Sequence, residues 1–208
     1  MDFREWEPIY QSILEDFGYS REEDEGAAKL LRSLAKSSGI QVLEDKIRGK
    51  KVTICGAAES LIDEIKKIKG TVVAADEATS ILLEFTIPDI IVTDLDGNMK
   101  HQIEANDMGS IVVIHAHGDN IPAIKKYVPL FKGKVILTTQ SEPFDDVHNF
   151  GGFTDGDRAF FMAKHFGAKE INLIGFDFEN PREKEGKNIE TKRRKLQWAK
   201  RLIYEIDL

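Results

Sequence analysis

Apolar positions fall into two rhythms along the chain, and the change between them marks its organisation. At the amino-terminal end Phe3, Trp6, Ile9, Tyr10, Ile13, Leu14 and Phe17 recur at helical spacing, and Gly18 stops the run. Ser20 followed by Glu23 has the form of a capping box for a second helix through Ala27, Leu30, Leu31 and Leu34, which Ser37-Ser38-Gly39 ends. This predicts an N-terminal helical element over 1–48, serving as a cap or an interface. From about Lys50 the rhythm becomes strand, turn, helix, repeated. Strands are expected near 51–55, 71–75, 89–93, 110–115, 134–138 and 170–174. Helices are expected near 58–68, 77–86, 99–107, 121–131, 156–166 and 189–205. The strands are continuous apolar runs, as in sheets covered by helices on both faces. Crossovers of this kind are right-handed and give parallel pairing. The expected fold is therefore α/β, a Rossmann-like, mostly parallel sheet of about six strands flanked by helices over 49–208. Ser141 to Thr154 is the longest stretch without periodicity, and Asn180 to Asn188 is a charged loop.

Nearly every strand runs into glycine or acidic residues. Ligands of open parallel sheets bind just beyond the carboxyl ends of the strands, so this edge is where chemistry is expected. Thr93-Asp94-Leu95-Asp96-Gly97 follows the third strand. Mg²⁺ takes oxygen ligands and is commonly held by one or two carboxylates plus substrate phosphates; a solvated turn is the plain alternative. His115-Ala116-His117-Gly118-Asp119-Asn120 follows the fourth strand. Its His-x-His suits zinc or iron, whereas the preferred reading makes Asp119 a third magnesium carboxylate with the histidines on phosphate or base. A core histidine beside a helix cap is the plain alternative. Gly56-Ala57-Ala58-Glu59-Ser60 offers a turn and a helix start to an anion, without the spacing of a dinucleotide fingerprint or a P-loop.

Gly151-Gly152-Phe153-Thr154-Asp155-Gly156-Asp157-Arg158 opens a helix. Its glycines let backbone approach a ligand, Thr154 or Asp155 caps the helix, and Arg158 suits a bidentate phosphate clamp. Asp76 and Asp177 stand at strand ends, where each is a site residue or simply a cap. Lys192, Arg193, Arg194 and Lys195 form either a solvated helix face or a phosphate contact.

The formal charge of −7 argues against a nucleic-acid surface. It leaves nucleotide ligands open, because bound divalent ions reverse the local field. No apolar run is long enough for a membrane span, and the first residues have no signal-peptide pattern. The single cysteine, Cys55, suits a cytoplasmic protein. A homodimer is one assembly that nothing in the sequence opposes.

Taken in order, Gly56-x-x-x-Ser60-Leu61, Ala75-Asp76, the Asp94 and Asp96 motif, the His115 to Asn120 motif, Gly151 to Arg158, Gly175-Phe176-Asp177 and Lys192-x-x-Lys195-Leu196 resemble the archaeal 6-hydroxymethyl-7,8-dihydropterin pyrophosphokinase family. The resemblance covers roughly 50–205. A more distant one, to thiamine pyrophosphokinases, rests on Ala75-Asp76, Asp94-Leu95-Asp96-Gly97 and Asp119. The resemblance implies diphosphate transfer from ATP to a pterin alcohol with Mg²⁺, in methanopterin- or folate-type cofactor synthesis. It implies Asp94, Asp96 and Asp119 as magnesium ligands, and Arg158 with Lys192 or Lys195 on the polyphosphate. It implies Gly56, Ser60 and Asp76 near the nucleotide, and Gly118, Asn120, Gly151, Gly152 and Thr154 in substrate binding. Asp155 or Asp177 would meet the pterin's amino-pyrimidinone edge, Phe153 or Phe176 would stack on its ring, and His115 or His117 is a candidate base. A His-Asp metallohydrolase and a non-catalytic nucleotide-binding regulator are the competing classes.

Overall fold

The structure, a computed structural model, describes residues 1–181 and 188–206; most of the charged loop expected at 180–188 lies outside the described residues. Helices α1 (Phe3–Phe17), α2 (Arg21–Leu34) and α3 (Gln41–Ile47) come first. Strands β1 (Lys51–Cys55), β2 (Thr71–Ala75), β3 (Ile90–Thr93), β4 (Ile111–Ala116), β5 (Val135–Thr139), β6 (Val147–His148) and β7 (Glu170–Ile174) then alternate with helices. These are α4 (Leu61–Glu64), α5 (Ala78–Leu82), α6 (Met99–Asp107), α7 (Ile121–Tyr127) and α8 (Asp155–His165), with α9 (Ile189–Tyr204) last.

All strand pairs are parallel, in the order β6-β5-β4-β3-β2-β1-β7. From β1 to β5 each strand is laid beside the one before. Right-handed crossovers therefore put α4 to α7 on one face, where Leu61, Ala78, Leu82, Ala105 and Ile124 pack on Ala74, Ile91, Val112 and Ile114. Helix α8 carries the chain back from β6 to β7 across the other face. There Ala159, Met162 and Phe166 meet Ile54, Val73, Val92 and Val113. Alternate residues of one strand thus serve two cores, which is why the strands read as unbroken apolar runs.

The N-terminal helices are built into these layers. Helix α2 adds Ala27, Ala28 and Leu31 to the first core, and α3 adds Leu43 and Ile47 to the second. Helix α1 packs Trp6, Tyr10 and Ile13 with Phe153, Phe161 and Leu202. Gly18, in the left-handed region, ends α1 as expected. At α2 only half of the expected box forms: Ser20 Oγ accepts from Glu23 N, while the hydroxyl donates to Glu22.

The sheet has seven strands rather than about six. The additional β6 is two residues long, inside the stretch read as a loop, and so short a strand has no period to detect. Helix α3 is also unforeseen, because Ile40 before it makes no side-chain cap bond. Among the described residues no helix is long and apolar enough to cross a membrane.

Candidate active site

Asp76 and Asp94 leave the carboxyl ends of neighbouring strands, since Ala75 pairs with Val92 in the β2–β3 ladder. Both turns use unusual backbone, with φ of 41° at Asp76 and 68° at Leu95. Asp76 Oδ1 accepts from Thr93 Oγ1 and Gln102 Nε2, each at 2.7 Å. A Cβ on Gly97 would collide with Asp76 Oδ2, so the loop after β3 closes on this carboxylate only as glycine. Carboxylate oxygens of Asp76, Asp94 and Asp96 lie within 4.8 Å of one another. Asp94 Oδ1 is buried with no hydrogen-bond partner. A compact set of hard oxygen donors with one orphaned buried oxygen fits a magnesium ion.

Asp119, expected as the third ligand, is not in this set; Asp76 stands there instead. His117 caps a 3-10 turn, Gly118–Asn120, in which Asn120 Oδ1 accepts from His117 N at 3.0 Å. This turn leaves Asp119 exposed, beside Ser20 and Glu23.

Crowding of like charges shapes the electrostatics. Burial first, then the charges of Asp94 and Asp96, push the Asp76 carboxyl up to about 7 against the bonds from Thr93 and Gln102. Burial works in the same sense on Asp94, but the His117 bond and the positive fields of Arg158 and Lys195 outweigh it and hold Asp94 below the ordinary carboxylate range. Asp76 therefore binds its proton more tightly folded than unfolded. Its stabilising contribution is complete below its ordinary value of 3.8 and is lost as pH rises through about 7. In metal-free melts Asp76→Asn is expected to gain stability over wild type by a margin that opens between about pH 4 and pH 7 and then stays level. A margin that does not change with pH would remove the carboxylate-crowding account.

Beside the trio lies a cleft lined by Asp94, His117, Thr154, Asp155, Arg158 and Lys195, with Tyr19, Gln140 and Phe153. The start of α8 forms one wall. Thr154 is its N-cap, and Asp157 turns back to accept from Phe153 N at 2.6 Å and Thr154 N at 2.8 Å. That fold-back aims Asp155 and Arg158 into the cleft, paired at 3.2 Å. Burial first, and then Asp94, hold the Asp155 carboxyl well above its ordinary value, with Arg158 opposing. The Lys195 ammonium stands 5.5 Å from the Tyr19 and Phe153 ring centres.

The two histidines differ. His117 Nδ1 accepts from Asp119 N at 3.2 Å, so Nε2 carries the proton and points at Asp94 Oδ2, 3.4 Å away. His115 is buried against Thr138, with Nδ1 and Thr138 Oγ1 3.1 Å apart. Burial and the Arg158 charge hold it neutral, well below its ordinary value. Their rings are 6.3 Å apart, and no third ligand joins them. Among the described residues the group able to hold a metal ion is the carboxylate trio, so the zinc or iron reading of His-x-His finds no site.

Several residues expected at ligand contacts take part in the protein's own packing. A Cβ on Gly56 would meet Gly175 O at 2.5 Å, and one on Gly175 would strike Gly56 O: these glycines let the β1 and β7 ends touch. Ser60 is exposed and bonds Glu64. Gly118 N donates to Asp24 at 2.8 Å. Asn120 Nδ2 ties Asp94 O to His115 O, both at 2.7 Å, pinning the β3 and β4 ends together. Asp177 is exposed and closes a local turn with Glu179 and Asn180, and Phe176 packs on Gly156. Lys192 lies one turn before Lys195 on α9 but is not in the cleft lining. Gly151 and Gly152 have φ of 85° and 94°. A Cβ on Gly152 would strike the Arg158 backbone at 2.6 Å, whereas at Gly151 it would meet the flexible Met1 side chain. Gly152→Val is accordingly expected to cost stability, about 2–3 kcal/mol, read as a melting point lowered by roughly 5–10 °C.

Tyr19 and Gln140 are the cleft residues that pattern reading missed. Gln140 was findable, since it follows β5 on the same sheet edge; Tyr19 comes from the α1–α2 junction and carries no local signal.

A family model described as 6-hydroxymethylpterin diphosphokinase MptE-like matches residues 27–183. A 6-hydroxymethyl-7,8-dihydropterin pyrophosphokinase of Pyrococcus furiosus is 43% identical, over 98% of this chain and 93% of its own length. Proteins of the same name from Methanothermobacter thermautotrophicus and Methanocaldococcus jannaschii are each 42% identical over 98% of this chain, covering 94% and 95% of their own lengths.

Proposed function

The chain belongs to the MptE-like 6-hydroxymethylpterin diphosphokinase family, and on that footing we propose that it transfers diphosphate from ATP to the hydroxymethyl group of 6-hydroxymethyl-7,8-dihydropterin. In this reaction the substrate hydroxyl oxygen attacks the β-phosphorus and its proton is released to water. The bond from that phosphorus to the α,β-bridging oxygen breaks, and AMP leaves with the bridging oxygen. The product serves methanopterin- or folate-type cofactor synthesis.

The observation that best supports the reading at the site is the meeting of opposite charges. A trio of carboxylates, Asp76, Asp94 and Asp96, adjoins a cleft carrying Arg158 and Lys195. A metal-bound polyphosphate has this charge pattern: a cation for the carboxylates and anionic oxygens for the guanidinium and ammonium. Asp76, Asp94 and Asp96 would hold Mg²⁺, which when bound supplies neutralisation of charge developing on the phosphates. Arg158 and Lys195 would hold the β- and γ-phosphate oxygens. His117, its Nδ1 occupied and its Nε2 turned to Asp94, orients that carboxylate rather than taking a proton. Asp155 would receive the donor-rich edge of the pterin, and Phe153, in the same lining, would stack on its ring.

Diphosphate transfer differs from phosphate transfer in its nucleotide product. Incubated with ATP, Mg²⁺ and the dihydropterin, the protein is expected to yield AMP and the pterin diphosphate in equal amounts, followed by mass. An α,β-methylene ATP analogue should be inert and inhibitory. ADP as the stoichiometric product would overturn the mechanism even if the pterin proved to be the acceptor.

A further inference from the structure

A buried polar chain runs from the N-terminal helices into the cleft. Asp24, on α2, is buried and accepts from donors on separate elements. Tyr10 Oη of α1 donates to Asp24 Oδ2 at 2.6 Å. Gln140 Nε2, just past β5, donates to the same oxygen at 2.7 Å. Gly118 N, just past β4, donates to Oδ1 at 2.8 Å. The Gln140 carbonyl is fixed as well, accepting from Trp6 Nε1 at 2.8 Å. With backbone and Nε2 both tied down, the direction of the Gln140 amide oxygen is fixed as well. That oxygen faces Arg158, with Oε1 3.5 Å from Nη2. Gln140 and Arg158 both line the cleft.

We propose that Asp24 is a positioning residue for the diphosphate-transfer site, acting through Gln140 to set how Arg158 is presented to the polyphosphate. The proposal rests on the pyrophosphokinase reading for its assay. An amide can face either way, and the two ends have opposite hydrogen-bonding sense. An acceptor-only carboxylate behind Gln140 forces the NH₂ group backward and the oxygen forward. The reversed amide would set oxygen against carboxylate and NH₂ against guanidinium, unfavourable at both ends. The N-terminal helices thereby supply a polarity to the site as well as packing. Asp24 lies before residue 27, where the family-model match begins.

The test is a mutant cycle, with kcat, KM for ATP and melting points measured on each variant. In Asp24→Asn the new amide cannot accept from all its present donors. If its oxygen stays on Gly118 N, its NH₂ confronts Gln140 and turns that amide around. The expected result is a fall in kcat/KM of about tenfold or more, carried by KM for ATP, with ATP affinity by calorimetry falling in step. Gln140→Leu should show a loss of similar size, and adding Asp24→Asn to it should cost little more. Tyr10→Phe removes a donor that does not reach the cleft, so it should lower the melting point and leave kcat/KM within about twofold. Additive losses in the double variant, unchanged kcat/KM in Gln140→Leu, or a Tyr10→Phe loss as large as that of Asp24→Asn would each overturn the proposal. Should Asp24→Asn fail to fold, Gln140→Leu alone still decides. If wild type forms no AMP with the dihydropterin, the reaction assignment fails, and calorimetric ATP affinities across the same cycle decide the role of Asp24.

Discussion

Asp94→Asn is expected to abolish diphosphate transfer while leaving the protein folded. Asp94 sits between Asp76 and Asp96, and its buried Oδ1 meets no protein donor. An amide there is a poor ligand for a hard cation. Loss of charge stabilisation worth several kcal/mol corresponds to a rate lower by about 10³-fold or more. In stability the substitution works both ways: an uncharged amide no longer pushes on Asp76 and Asp155, and it no longer draws on the His117 bond and the Arg158 and Lys195 charges that hold Asp94 ionised. Ligand linkage gives a second readout: Mg²⁺ binding only the folded state should raise the wild-type melting point with concentration, and that rise should vanish in Asp94→Asn. Turnover within tenfold of wild type, or an undiminished Mg²⁺-dependent melting shift, would remove the proposed magnesium site. EDTA should stop wild-type turnover, and added Mg²⁺ should restore it.

What could be read from the pattern and what could not divide along a physical line. Strand ends and helix starts are local events, and the residues found at them, Asp94, His117, Thr154, Asp155 and Arg158, were identifiable from short stretches. They converge on one cleft because parallel strands deliver their carboxyl ends to one edge. The choice of Asp76 over Asp119 as the third carboxylate was not local. It depends on β2 pairing with β3, which sets Asp76 against Thr93 and Gln102, and on His117 capping its turn so that Asp119 faces outward to water. The glycines have contacts that are likewise not local. Glycine marks close backbone approach, but sequence does not say to what; at Gly56 it is the β7 end, and at Gly152 the start of α8. Tyr19 and Asp24 were out of reach altogether. The Asp24 contacts span separations of 94 and 116 residues and form only when α2 docks over the β4 and β5 loops.

Arg158→Ala should lower kcat/KM by about 10² to 10³-fold with little change in melting point. The residue is 7% exposed, so the usual expectation for such a truncation is instability. Here the partner left behind has another way to neutralise. Asp155 already holds its proton well above the ordinary range through burial and Asp94, and Arg158 is the group opposing that. Without Arg158 the carboxyl is held further up still, so the neutral acid is favoured over a buried lone charge. The cost therefore falls on function. Polyphosphate loses its guanidinium, and Asp155 must now give up a proton to meet the pterin edge as a carboxylate. The acidic limb of the kcat/KM profile for the pterin is accordingly expected to shift to higher pH in Arg158→Ala. Arg158→Lys should keep that limb near its wild-type position, because the positive charge remains, yet recover turnover only in part, because an ammonium lacks the two-pronged fork. Unchanged turnover in Arg158→Ala would reduce the start of α8 to scaffolding, and a large turnover loss with an unmoved acidic limb would release Asp155 from the pterin edge.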